Sequence, residues 1–98
     1  MQTFTINTEY DTYNNCTYSK KMYGNNHVAI QLFCEEGPLA TLTTNIYGIE
    51  NYPENYSCID TNNCPWGEDL VAELGIGKPT GNYLSSGFCM YPVYEFII

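Results

Sequence analysis

The first residues alternate, with Phe4 and Ile6 on one side and Thr3, Thr5 and Asn7 on the other. A period of two predicts a strand over 2–8. The stretch 10–27 is polar and rich in Tyr and Asn. A second strand is expected near 13–18, and Gly24-Asn25-Asn26 is a turn signal. Val28 to Cys34 is a compact apolar run, Glu35-Glu36-Gly37-Pro38 turns the chain, and Leu39 to Tyr47 is rich in Thr and aliphatic residues. Segments 28–34 and 39–47 therefore read as an antiparallel hairpin.

The second half changes period. Residues 48–56 form a polar loop and Cys58-Ile59-Asp60 a short extended piece. Trp66, Leu70 and Leu74 then fall four apart with Val71 beside them, a helical stripe. Pro65 suits the first helical position, Asn63 or Cys64 the cap, and Glu68 and Asp69 the positive end of the helix dipole. Gly75 reads as a left-handed C-cap, which sets the helix at about 65–74. The glycine-rich segment 75–87 reads as a loop. Phe88 to Ile97 is a last strand, with Pro92 marking an edge or a bulge. The fold class is α+β: an antiparallel sheet of about four to five strands with one helix packed on it, in a single domain, 1–98.

Charge narrows the function. Three Lys+Arg stand against eleven Asp+Glu in 98 residues, a net charge of -8. Phosphate backbones and anionic membranes are poor partners for such a chain, and a basic protein surface is a good one. Nine of the eleven carboxylates lie in the 9–11 segment, the Glu35–Glu36 turn, the Glu50–Glu54 loop and the helix at Glu68, Asp69 and Glu73. Eleven are too few to imitate a DNA backbone, which carries about one charge per 1.7 Å of duplex. The start of the chain lacks a basic region followed by an apolar one, and no apolar run reaches the ~18 residues of a membrane span. Cytoplasmic residence is the expectation, with the five cysteines reduced. The sequons at Asn15 and Asn55 then read as chance matches.

Few residues invite catalysis. His27, the one histidine, has no Ser or Cys spaced as a partner and reads as a surface or strand-entry residue. Adjacent carboxylates diverge in space, so neither Glu35/Glu36 nor Glu68/Asp69 makes an acid–base pair. The loop from Gly75 to Gly81 lacks phosphate-loop spacing and follows a helix instead of opening one. No catalytic residue and no cofactor are expected. A zinc ion on Cys58, Cys64, Cys89 and His27 (or Cys34) is the alternative, although no CxxC knuckle is present. Cys64, near a helix N-terminus, is the candidate reactive thiol. Ten tyrosines remain, and Tyr10, Tyr13, Tyr18 and Tyr23 cluster where aliphatic residues are scarce, either as interface residues or as rings that pad the outer face of a small sheet.

Three strings in the second half carry a resemblance: Ile59 to Trp66 (IDTNNCPW), Gly75 to Gly81 (GIGKPTG) and Ser86 to Phe96 (SGFCMYPVYEF). Over about 28–98 the chain resembles an uncharacterised family of small acidic proteins carried by conjugative elements and phages of gut and oral Firmicutes. The resemblance implies a mobile-element context, in which such proteins counter host defence as anti-CRISPR or antirestriction inhibitors. It transfers no catalytic residue.

The combined expectation is a non-enzymatic inhibitor in the bacterial host cytosol, monomer or homodimer. It would bind the basic nucleic-acid-binding surface of a protein, such as a CRISPR effector, without touching nucleic acid or membrane. The binding residues would be Tyr10, Tyr13, Tyr18, Tyr23, Glu35, Glu36, Glu50, Glu54, Glu68, Asp69 and Glu73. The alternatives are a zinc-stabilised interaction module, a thiol-dependent small enzyme using Cys64, and a conjugation accessory protein.

Overall fold

A computed structural model describes residues 3–98. Met1 and Gln2, the latter at the start of the expected first strand, lie outside them. The elements in order are β1 (Phe4–Asn7), β2 (Thr12–Met22), β3 (Val28–Cys34), β4 (Gly37–Thr41), β5 (Thr43–Thr44), a 3-10 turn (Ile49–Asn51), β6 (Tyr56–Ile59), α1 (Gly67–Leu74), β7 (Gly77–Ser86) and β8 (Cys89–Phe96). The fold is α+β with antiparallel pairing and one α-helix, as the hydrophobic pattern predicts. The strands form two four-stranded sheets, ordered β1-β2-β3-β4 and β5-β6-β8-β7.

The two sheets meet at Leu42. The predicted strand 39–47 breaks there because its backbone serves both sheets. The Leu42 N–H donates to the Ile30 carbonyl at 2.8 Å, while its own carbonyl accepts from the Asp60 N–H at 2.9 Å. β4 thus completes the 28–41 hairpin in the first sheet, and β5 begins the second.

β2 is bent as well. Its first half pairs with β1, and its second half, from Thr17 to Met22, pairs with β3. The bend is a bulge: Phe4 to Ile6 spans the same stretch of ladder as Tyr13 to Cys16. Asn15 lies within it at φ 53, a left-handed conformation that Asn tolerates better than most residues. Its side chain closes the bulge by donating Nδ2–H to Glu35 Oε1 at 2.7 Å.

Residues 77–86 form a strand, which corrects the loop expected over 75–87. Glycine, proline and small polar residues read as a loop, yet β7 pairs with β8 on both sides of a bulge between Pro79 and Tyr83. Gly81 takes φ 86 inside the bulge, and the Thr80 hydroxyl bridges it, donating to the Val93 carbonyl at 2.9 Å. β7 is an edge strand, and Lys78, Pro79 and the bulge blunt that edge against further pairing. Pro92 does oppose the end of the bulge, but β8 is a central strand, flanked by β6 and β7.

The helix begins two residues later than predicted. The Asp60 carboxylate accepts from the Asn63 backbone at 3.2 Å and the Asn63 amide at 2.9 Å. The Cys64 N–H donates to the Asp60 carbonyl, and the Gly67 N–H to the Cys64 carbonyl. Successive turns, Pro65 included, therefore precede the first full helical turn, and Trp66 occupies the N-cap position without a side-chain cap. Gly75 ends the helix at φ 68, as predicted. Leu70 and Val71 are buried and Trp66 and Leu74 partly buried, so the expected stripe faces the core.

One buried cluster draws on both sheets and the helix, through Ile6, Ile30, Leu32, Leu42, Ile59, Val71 and Phe96 among others. Each such side chain contributes about 1.5–3 kcal/mol on leaving water. The opposite face of the second sheet is covered too. Ile46 and Ile49 from the 45–56 segment pack on Cys58 and Val93, with Tyr52, Tyr56, Leu84 and Tyr91 around them.

Candidate functional site

β1 has one strand neighbour, β2, and α1 stands beside it. Four hollows follow one another along this side. The largest, about 350 Å³, is lined by Thr8, Glu9, Tyr10, Tyr13, Leu39, Ala40, Asn63, Pro65 and Trp66. Trp66 is shared with a smaller hollow that continues past Leu70 and Asp69 to Glu73. Glu73 is shared in turn with one bounded by Phe4, Tyr18, Leu74 and Ile76. At the other end Tyr13 is shared with a hollow holding Cys34, Glu35 and Glu36. No basic side chain lines any of the four.

The groove couples apolar rings to carboxylates. Tyr10 is 86% exposed at its rim, while Tyr13 and Trp66 are half-buried, which leaves aromatic area for a partner to cover. Glu9, Glu35, Glu36, Asp69 and Glu73 are exposed along it. Unopposed carboxylates of one sign beside a low-dielectric wall concentrate a negative potential there. The Asp60–Asn63 turn places Trp66, and the bulge at Asn15 places Glu35.

The other predicted binding residues fall elsewhere or have structural partners. Tyr23 is half-buried with its hydroxyl 2.9 Å from Thr43 Oγ1. Tyr18 packs on Phe4 at 6.5 Å between ring centroids and lines only the far end of the groove. Glu68 accepts a 2.8 Å hydrogen bond from the Tyr94 hydroxyl. Burial, aided by that carboxylate, pushes the Tyr94 phenol well above its usual range. Glu50 is exposed and accepts from the Gly48 N–H at 3.0 Å, and Glu54 lies in the loop over the second sheet.

The thiols and the histidine are mostly interior. Burial pushes Cys58 and Cys64 up to about 11, with the Asp60 charge adding to the effect on Cys64. Cys64, the candidate reactive thiol, is therefore buried and not activated. His27 does precede a strand but is buried, not a surface residue. Its Nδ1 lies 2.9 Å from the Tyr56 carbonyl, which can only accept, so Nδ1 carries the proton and is not free for a metal. Among the described residues no three His, Cys, Asp or Glu side chains converge as metal ligands, so Cys58, Cys64, Cys89 and His27 are not brought together.

Residues 16–98 match the model of a family described as a domain of unknown function, DUF4313. The chain belongs to this family. The match starts inside β2, so the DUF4313 segment supplies Trp66, Leu39, Asp69 and Glu73, while Glu9, Tyr10 and Tyr13 precede it. No curated protein and no solved structure matches the chain significantly. No helix among the described residues of this DUF4313 protein is long and apolar enough to cross a membrane.

Sequence reasoning missed Leu39, Ala40, Pro65 and Trp66 as groove residues. Trp66 was legible only as a helix anchor, because its stripe partners Leu70 and Leu74 explain it without a groove. Glu9 was legible only as one charge in an acidic segment.

Proposed function

We propose that the protein is a non-enzymatic binding module. It occupies the basic surface of a nucleic-acid-handling protein, as an anti-CRISPR-like inhibitor encoded by a mobile element in a bacterial host. The observation that carries this reading is the groove centred on Trp66, with aromatic walls, five exposed carboxylates and no cation in its lining. Lysine and arginine side chains of a partner would meet the carboxylates, while their alkyl stems or an aliphatic neighbour cover Trp66 and Tyr13. Occlusion follows: a surface built for guide or target strands is taken by protein, and electrostatic steering speeds the encounter.

The test is a phage challenge of cells that carry an active CRISPR effector and express this protein. Restored plaquing is expected, and Trp66→Ala combined with Glu9→Gln and Asp69→Asn should abolish it while the variant stays folded. If cells carrying each CRISPR effector tested retain full immunity, or if the triple variant inhibits as well as the parent, the reading fails.

A further inference from the structure

Five thiols are free, and the strand register brings two of them together. The β2–β3 register pairs Tyr18 with Leu32 and Thr17 with Phe33, so one further step sets Cys16 opposite Cys34. Three observations agree. Asn15 and Glu35, the next step, are joined at 2.7 Å. Cys16 and Leu32 lie in the main buried cluster, and Cys34 and Tyr18 pack against it, so both thiols are on the core side of the sheet. Cys34 is also close enough to Cys16 to add, after burial, to the upward push on the Cys16 thiol. Directly opposed residues of an antiparallel pair have Cα atoms about 4.5–5.5 Å apart, within the roughly 4.4–6.8 Å that a disulfide spans.

Their surroundings differ. Cys16 is fully buried, and its Sγ–H donates to the Tyr13 carbonyl at 3.3 Å. Cys34 is half-buried and lines the hollow of about 130 Å³ that also holds Glu35 and Glu36. Anionic oxidants are repelled from that hollow, whereas a neutral, small one is not.

We propose that Cys16 and Cys34 form a dithiol site that hydrogen peroxide oxidises to a cross-strand disulfide. The Cys34 thiolate attacks the peroxide oxygen, the O–O bond breaks, and Cys34 becomes a sulfenic acid as hydroxide leaves and takes a proton to form water. The Cys16 sulfur then attacks the Cys34 sulfur. The S–S bond forms, and the sulfenic oxygen leaves as a second water with the Cys16 proton. Two thiols lose two electrons and one peroxide is reduced to two waters. The bond ties the Asn15 bulge to the turn carrying Glu35 and Glu36, at one end of the groove.

Treating the folded full chain with hydrogen peroxide tests this. The expected product has lost two hydrogen masses. After cleavage at Lys and Glu, the fragment bearing Cys16 is linked to the fragment bearing Cys34, and dithiothreitol releases both. Cys34→Ser should leave Cys16 a free thiol under the same treatment. Cys16→Ser, if it folds, should stop at a Cys34 sulfenic acid that dimedone traps. A wild-type product carrying oxidised Cys34 beside free Cys16, or a linkage between any other pair, overturns the proposal.

Discussion

Replacing Gly67 by alanine tests how the helix that follows Trp66 is seated. In a solvent-facing helix the change would stabilise by up to about 1 kcal/mol, because glycine loses more backbone freedom on folding. Here the added Cβ would lie 2.8 Å from Ile59 Cγ2, 3.0 Å from Leu42 Cδ1 and 3.5 Å from Cys64 Cβ. The shortest of these falls roughly 0.7 Å inside the contact minimum of two carbons. Ile59 and Leu42 are both 0% exposed, so neither methyl can swing into solvent, and the helix or the sheet must shift. Overpacking of this kind costs about 1–3 kcal/mol, which outweighs the propensity gain. The net expectation is a loss of about 1–2 kcal/mol. For a chain of this size each kcal/mol moves the melting temperature by about 4–8 °C, so Gly67→Ala should melt some 4–15 °C lower. Circular dichroism melting, with Trp66 emission followed alongside, reads both the loss and any displacement of the neighbouring ring. Gly24→Ala serves as the control, since nothing lies within 4 Å of its added Cβ and it should leave the midpoint nearly unchanged. A Gly67→Ala protein more stable than the parent would refute the close seating of the helix on Leu42 and Ile59.

Three further expectations rest on the thiols and the bulge. Stability should fall between about pH 9 and pH 11, because the thiols of Cys58 and Cys64 ionise near 9 when unfolded and at about 11 when folded. Below that window both states keep their protons and the contribution is whole; within it only the unfolded chain releases them. The loss is on the order of 2 kcal/mol per thiol, and urea melts of Cys64→Ala should show a shallower alkaline decline than the parent. A soluble thiol reagent at pH 8 should modify Cys34 and Cys89 quickly and Cys16, Cys58 and Cys64 only after unfolding, as their burial requires. Asn15→Val should lower stability by roughly 2 kcal/mol, from the left-handed backbone and the lost hydrogen bond to Glu35 together, measured as a shift in the urea midpoint.

Much of the scaffold was legible because short-range patterns control it. The alternation at Phe4 and Ile6, the apolar run from Val28, the stripe of Trp66, Leu70 and Leu74, and the Gly75 cap each act within one element. What escaped the pattern depends on pairing between distant segments. β7 lacks strand composition and exists because β8 gives it a partner across a bulge. The division into two sheets turns on Leu42, whose N–H and carbonyl bond to Ile30 and Asp60 in different ladders. The groove joins residues near 8–13, 39–40 and 63–73, which no local spacing connects. Clustering of tyrosines in the sequence did not survive folding, since Tyr23 bonds to Thr43 while Tyr10 and Tyr13 line the hollow that holds Trp66. His27 escaped for a similar reason, since its ring partner, the Tyr56 carbonyl, lies on another strand.

Trp66 is the sole tryptophan, so its emission reports the groove directly. The most direct measurement is a fluorescence titration of the full chain with a tryptophan-free peptide of alternating arginine and leucine, against a glutamate and leucine peptide of equal length. A saturable change with the basic peptide alone is predicted, weakening as salt rises and lost in the Glu9→Gln, Asp69→Asn, Glu73→Gln variant. Emission that ignores the basic peptide, or a response that the neutralised variant retains in full, would contradict the account.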